Sequence, residues 1–225
     1  MWSLYFESAA LGYLLGSFPT GYLVGRWYGL DIRAHGSGNI GATNVARVVG
    51  RKPGFLVFIC DALKGWLAVR AACLLVWCAL PAAGGALNFF ALSPTCDAFA
   101  GVVAAIACIL GHNFPIWLGF RGGKGIATTT GVLLGLMPAA VAISALVWAA
   151  AFFALRYVSL ASLLAAATLP LTVGLFWWAG DANIALFCFS LAATALAFWR
   201  HRSNIQRLLE GTEPRFVAKG AAQKT

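Results

Sequence analysis

Residues 126–155 read IATTTGVLLGLMPAAVAISALVWAAAFFAL, an apolar run without a charged side chain and with Met137-Pro138 near its middle. Taken as one crossing, the run makes a six-span membrane protein and leaves Arg156 and the basic C-terminal tail outside. Taken as two helices hinged at Met137-Pro138, it makes seven spans and returns every basic cluster to the inner face. Proline has no backbone N–H and biases its predecessor away from the helical region, so it marks a break. Excess Lys and Arg belong on the cytoplasmic side. Both considerations favour the hinge. The first limb, about a dozen residues, is short against the roughly 20 needed for a full crossing, so it reads as partly re-entrant. The expected fold is therefore all-α: a polytopic integral membrane protein of seven transmembrane helices, N-terminus outside and C-terminus cytoplasmic, forming one membrane domain over residues 1–225.

The remainder of the chain agrees with a bilayer setting. Of its 225 residues 61% are hydrophobic and only 10% charged, with a mean hydropathy of +0.82. A soluble domain of this length needs a far more charged surface. The N-terminus lacks the basic region of a cleaved signal peptide and reads as a first span over residues 4–28, kinked at Pro19. Within it, Gly12-x-x-x-Gly16 and Gly21-x-x-x-Gly25 permit close approach of a neighbouring helix. Further spans are expected at 54–80, 98–118, 158–178 and 183–199, with an outer loop over 81–97. Cys60, Cys73, Cys78, Cys96, Cys108 and Cys188 form no C-x-x-C pair, and small buried hydrophobes are expected rather than disulfides or metal ligands.

The net charge of +9 is concentrated in three places. Arg26, Arg33, Arg47, Arg51 and Lys52 flank one loop; Arg121 and Lys124 flank another; Arg200, Arg202, Arg207, Arg215, Lys219 and Lys224 follow the last span. Such a face suits lipid headgroups or a phosphorylated substrate. It does not suit nucleic acid, because no soluble module carries the charge.

Each basic place holds a polar, glycine-bearing cluster. The first, Gly36-Ser37-Gly38-Asn39-Ile40-Gly41-Ala42-Thr43-Asn44-Val45-Ala46-Arg47, combines flexible backbone, small side-chain donors and a forked cation, which together suit an oxyanion. A helix beginning near Thr43 would add its N-terminal dipole. The second runs over 111–128, where Gly122-Gly123-Lys124-Gly125 is expected to offer free N–H groups beside a cation. The third is Arg200-His201-x-x-Asn204-Ile205-x-Arg207-Leu208-x-x-Gly211-x-Glu213. Two look-alikes fail. Gly36-x-Gly38-x-x-Gly41 has no preceding strand for a dinucleotide fold, and Gly123-Lys124 is followed by Gly125 where a Walker loop needs Ser or Thr. Asp61 and Lys64, three residues apart on one helical face, read as a buried ion pair ahead of a catalytic one. His112, in apolar surroundings, reads as a hydrogen-bonded structural histidine.

Taken together, Ser37-Gly38-Asn39-x-Gly41-Ala42-Thr43-Asn44-x-x-Arg47, then Gly111-His112-x-Phe114 with Phe120-x-Gly122-Gly123-Lys124-Gly125, then His201-x-x-Asn204-Ile205-x-Arg207-Leu208 resemble the three signatures of a bacterial family. That family is the membrane acyl-phosphate:glycerol-3-phosphate acyltransferases, the PlsY family, and the resemblance covers nearly the whole chain. It implies transfer of a fatty acyl group from acyl phosphate to the 1-hydroxyl of glycerol 3-phosphate. Lysophosphatidic acid and inorganic phosphate are the products, in the first step of phospholipid biosynthesis. It also implies a multi-pass protein of the bacterial inner membrane with its site on the cytoplasmic side, no metal and no other cofactor. Its partners are then acyl phosphate, glycerol 3-phosphate and membrane lipids.

By the same resemblance, the acyl-phosphate phosphate is held by Ser37, Gly38, Asn39, Gly41, Ala42, Thr43, Asn44 and the turn Gly122, Gly123, Lys124. Glycerol 3-phosphate falls to Arg47, Lys124, His201 and Asn204 with a serine, Ser159 or Ser162, the spacing from Lys124 favouring Ser162. Ser37, Asn39, Lys124, His201 and Asn204 are the expected catalytic residues. Acyl phosphate is a mixed anhydride with a good leaving group, so alignment and charge neutralisation suffice without a covalent nucleophile. The hydroxyl proton goes to a donor phosphate oxygen or to His201. A transporter of an organic phosphate is the competing class, but it would place its site at the bilayer midplane between repeats, and no repeat is visible.

Overall fold

The computed structural model describes residues 1–79 and 98–216. The expected outer loop over 81–97, with Cys96, and the tail lysines Lys219 and Lys224 lie outside the described residues. All regular structure among the described residues is helical. The chain forms two compact units, Met1–Pro138 and Ala139–Thr225.

In the first unit, α1 (Trp2–Ser17) stops at Phe18, because Pro19 cannot donate to the helical ladder, and α2 (Thr20–Trp27) restarts beyond it. The expected kink is thus a full break, at which the Phe18 carbonyl accepts the Thr20 N–H at 3.1 Å. A short α3 (Ala42–Val48) precedes the long α4 (Arg51–Ala79); α5 (Ala98–Asn113), a 3-10 turn (Ile116–Leu118) and α6 (Ile126–Leu136) complete the unit. The glycine pair on α1 works as expected. A Cβ on Gly12 would meet the Ala104 carbonyl, and one on Gly16 the Cys108 carbonyl, so two glycines one four-residue step apart on α1 seat the backbone of α5. Gly21 and Gly25 serve another purpose: they face Ile40 and Ile32 of the segment that follows α2, Ile32 opening a short 3-10 turn (Ile32–Ala34).

Helix α6 lies along α4, with Gly131 against the Ala62 carbonyl and Gly135 against Val69. It ends at Leu136, Met137 is non-helical, and α7 (Pro138–Leu155) begins at the proline, so the hinge stands where the sequence places it.

The second unit holds α7, α8 (Val158–Ala179), α9 (Ile184–Arg200) and α10 (Arg202–Leu209). Asn183 caps α9 by accepting the Leu186 N–H at 2.9 Å, and Thr194 donates to the Ala166 carbonyl of α8 at 2.8 Å. Trp177 stacks on Phe187 with centroids 5.3 Å apart, joining the end of α8 to the start of α9. Ile143, Leu146, Phe153 and Leu155 on α7 are exposed, as lipid-facing side chains are.

Three stretches among the described residues are long and apolar enough to cross a membrane: Ala98–Leu118, Pro138–Leu155 and Val158–Ala179. Helices α9 and α10, bent by 58°, make a fourth if taken as one broken span. At 11 residues α6 falls short of a crossing, as its sequence indicates. Cys60, Cys78, Cys108 and Cys188 are free. Cys73 is disulfide-bonded, which corrects the expectation that no cysteine pairs. Its apolar context hid the bond, because thiol and half-cystine are equally at home among hydrophobic neighbours.

Candidate functional site

The glycine loop of the first unit rests on an apolar cluster of Val24, Ile32, Ile40, Val45 and Val57. At its centre is Asn44, only 2% exposed. Its Oδ1 accepts the Ser37 N–H at 2.8 Å, and its Nδ2 donates to the carbonyls of Asn39 (2.9 Å), His35 (3.0 Å) and Ile32 (3.3 Å). These bonds tie the loop to its own side chain. Asn44 therefore shapes the cradle from beneath, whereas its sequence context suggests a ligand contact.

The backbone donors also differ from expectation. Asn39 Oδ1 accepts the Gly41 N–H at 2.8 Å, and the Gly38 N–H goes to the His35 carbonyl at 3.0 Å. A loop outside regular structure must satisfy its own peptide groups, and glycine at φ +59° (Gly36) and +68° (Gly38) makes that folding possible. The donors left for an anion are the Ser37 hydroxyl, the Asn39 amide N–H groups and the first-turn N–H groups of Ala42 and Thr43, which have no intrahelical acceptor. Arg47 stands exposed on the same short helix.

The second cluster is fixed to the end of α5. Gly122 N–H donates to the Asn113 carbonyl and Gly123 N–H to the His112 carbonyl, each at 3.1 Å. These N–H groups are committed, which corrects the expectation of a free glycine nest. The glycines are required by proximity: a Cβ on Gly122 would meet the His112 carbonyl, and one on Gly123 would meet His112 Nε2. The turn is thus pressed onto α5 with half-buried Lys124 following it. Leu118, in the 3-10 turn between α5 and Lys124, packs on the apolar cluster that also supports the glycine loop. One hydrophobic base carries both polar elements.

Behind this turn is a buried charged group. Lys64 pairs with Asp61 at 2.8 Å, and both side chains are less than a tenth exposed. The ion pair matches the sequence reading; its contact with His112, 3.1 Å from Lys64, was not legible there.

In the second unit, the third cluster closes around Glu213. Its Oε1 accepts from Ser159 at 2.6 Å and from Asn204 at 2.7 Å, and its Oε2 from Arg207 at 2.8 Å. Ser159 and Asn204 therefore share one carboxylate. Ser162 points elsewhere: its hydroxyl donates to the Val158 carbonyl and accepts from Trp148. Of the two serines left open by sequence, geometry groups Ser159 with Asn204. His201, 4% exposed, sits at the corner between α9 and α10, its Nδ1 2.7 Å from the Ala197 carbonyl. A carbonyl can only accept, so Nδ1 carries the proton and Nε2 of the neutral ring is the acceptor.

Burial alone would raise the Glu213 pKa; the hydrogen bonds from Ser159, Asn204 and Arg207 outweigh it and hold the carboxyl below its ordinary value. A group with a lowered folded pKa stabilises the fold above its unfolded pKa, and that contribution is lost as pH falls through the folded value. Melting temperature is therefore expected to fall as pH drops below about 4.5, and Glu213→Gln should flatten that dependence. An unchanged acid slope in the variant would contradict the clamp. Farther from the clusters, hydrogen bonds from the Arg33 side chain and backbone hold the half-buried Asp31 carboxyl at about 2.

With these geometries in hand, the chain can be set beside known proteins. The glycerol-3-phosphate acyltransferase family model matches residues 7–211. The chain belongs to that family. Curated glycerol-3-phosphate acyltransferases are similar throughout: one from Thermosynechococcus vestitus is 46% identical over 216 residues, covering 93% of this chain and 94% of its own. One from Rhizobium meliloti is 44% identical over 211 residues, covering 93% and 91%. A crystal structure of PlsY, an integral membrane glycerol 3-phosphate acyltransferase, in its glycerol 3-phosphate form superposes with a TM-score of 0.79 at 35% identity. That match covers 98% of this chain and 99% of the neighbour. A lysophosphatidic acid form of PlsY gives 0.76 at 36% identity.

The chain is accordingly an integral membrane acyltransferase of the PlsY family, as its three motifs indicate. Two buried polar groups seen in the structure were not assigned a site role from sequence. Glu213 closes the third cluster, and its one sequence signal is an acidic residue, with Glu210, in a mainly basic tail. The Asp61–Lys64–His112 group has a stronger signal, since intramembrane charge is costly and is kept for a reason.

Proposed function

We propose that this chain transfers a fatty acyl group from acyl phosphate to the 1-hydroxyl of glycerol 3-phosphate, releasing lysophosphatidic acid and inorganic phosphate. The observation that carries this reading is the apolar cluster under the glycine loop, on which Leu118 of the 3-10 turn leading to Gly122–Lys124 also packs. Two anion-suited elements fixed on one apolar support fit a donor whose head is a phosphate and whose tail is a hydrocarbon.

In this reading Ser37, Asn39, Ala42, Thr43 and Lys124 take the acyl-phosphate head, with Gly38, Gly41, Gly122 and Gly123 giving the backbone its shape. Arg47, Lys124, Ser159, His201 and Asn204 take glycerol 3-phosphate. The attacking hydroxyl adds to the acyl carbon, the bond from that carbon to the bridging oxygen breaks, and phosphate leaves with its charge met by Lys124. The hydroxyl proton passes to a phosphate oxygen of the donor. His201 is the alternative, protein-based acceptor, its Nδ1 facing the Ala197 carbonyl and its Nε2 left to accept. No covalent acyl-enzyme, metal or thioester donor enters the cycle.

The same reading makes the chain one membrane domain of seven spans in the bacterial inner membrane, N-terminus outside, with the three motifs on the cytoplasmic side. The break at Met137 and the charge distribution support that topology. The test is direct. Purified protein given palmitoyl phosphate and glycerol 3-phosphate, with no membrane gradient, should yield one phosphate per lysophosphatidic acid, measured colorimetrically and by mass spectrometry. Ester formation only when acyl-CoA replaces the acyl phosphate would overturn the donor assignment.

A further inference from the structure

Lys64 has no part in the acyl transfer described so far, yet its surroundings are fully determined. Its ammonium reaches three acceptors: Asp61 Oδ1 at 2.8 Å, the Phe18 carbonyl at 2.9 Å and His112 Nδ1 at 3.1 Å. An ammonium has no acceptor, so Lys64 can only donate to the Phe18 carbonyl and to His112 Nδ1, with Asp61 beside it as its ion-pair partner. The Phe18 carbonyl, just past the end of α1, accepts the Thr20 N–H at 3.1 Å as well as the Lys64 ammonium, one on each lone pair.

This accounting fixes His112. Facing a group that can only donate, Nδ1 must accept, and a neutral imidazole whose Nδ1 accepts carries its proton on Nε2. The Asp61 carboxylate, 3.7 Å from the same Nδ1, lies beyond hydrogen-bond range and does not reverse the assignment. Nε2 stands where a side chain on Gly123 would project, while the His112 carbonyl takes the Gly123 N–H at 3.1 Å. Ring and main chain of one residue both engage the turn that carries Lys124. The tautomer is opposite to that of His201, whose Nδ1 is the donor.

We propose that Lys64 is a positioning residue of the acyltransferase: it holds His112 as the Nε2–H tautomer, so that the ring presents a donor to the Gly122–Lys124 turn and fixes the turn for phosphate. The proposal rests on the reading of that turn as phosphate-binding. Helix cohesion alone is a weaker reason for these charges. A buried ion pair seldom stabilises more than an apolar pair of equal volume, whereas removing one partner leaves a costly unpaired charge.

That contrast supplies the experiment. The double variant Asp61→Leu/Lys64→Met removes both charges together and is expected to melt with the wild type. Its turnover with palmitoyl phosphate and glycerol 3-phosphate should be lower by about 100-fold, as displacement of a reacting group by an ångström costs. The tautomer is read independently by 15N NMR of histidine-labelled protein, in which only three histidines contribute. Wild-type His112 should show a protonated Nε2 and a bare Nδ1, and that pattern should be lost in the double variant.

Wild-type turnover in a folded double variant, or a wild-type His112 protonated at Nδ1, would overturn the proposal. If the double variant does not fold, the wild-type spectrum decides alone. Absence of acyl transfer by the wild type would count against the donor assignment, and the spectrum would still judge the tautomer.

Discussion

Lys124→Ala is expected to lower turnover by about 10³-fold while the protein still inserts, purifies and melts near the wild-type temperature. Lys124 is half-buried at the end of a turn whose shape is set by backbone bonds to α5. Its contribution comes when negative charge gathers on the departing phosphate, and a cation already in place stabilises that charge without reorganising. Loss of one fixed donor to a developing oxyanion costs roughly 10²–10³-fold in comparable acyl transfers, and a full positive charge belongs at the upper end. Steady-state phosphate release checks the rate, and a thermal melt in detergent checks the fold. Near-normal turnover in Lys124→Ala would remove the turn from the site.

Gly123→Ala is expected to cost at least about 10²-fold through geometry alone. The added methyl would overlap His112 Nε2 and lie 2.9 Å from Cε1 and 3.0 Å from Cδ2. The ring cannot swing away freely, because Lys64 holds its Nδ1, so the turn moves instead and carries Lys124 with it. Overpacking of this kind costs on the order of 1–3 kcal/mol, which a folded membrane domain absorbs more readily than an active site absorbs misalignment. Alanine at Gly119 is the control. It meets only the strain of φ +60°, since nothing lies within 4 Å of the added methyl, and most of the activity should remain. Equal losses at both positions would mean that backbone flexibility matters, and not the contact with His112.

These two variants show where sequence was and was not informative. The helices and the breaks at Pro19 and Met137-Pro138 were legible, because proline removes a donor wherever it falls and apolar runs of bilayer length have few other readings. The anion-suited motifs were legible as composition: small donors, glycine and isolated cations. The use of each donor was not. Ser37, Gly38, Gly41, Gly122 and Gly123 all commit their N–H groups to nearby acceptors, and nothing local to those residues reveals it.

The choice between Ser159 and Ser162 likewise depended on a tertiary partner. Both lie near the start of α8, and only the approach of Glu213 from beyond α10 separates them. Lys64 and His112 are 48 residues apart, and the packing of α4 and α5 brings them together. Spacing within a helix identified the Asp61–Lys64 pair; the third member came from another element. Cys73 follows the same rule, as its bond depends on a partner that no spacing pattern announced.

Direct acyl transfer between two phosphate-bearing substrates, with no acyl group ever held by the protein, is tested most simply by the phosphate-release assay with the donor alone. Rapid mixing of the enzyme with palmitoyl phosphate should release no phosphate burst, and addition of glycerol 3-phosphate should start release matched one-to-one by ester. A burst stoichiometric with enzyme in the absence of acceptor would reveal a covalent acyl-enzyme and contradict the mechanism.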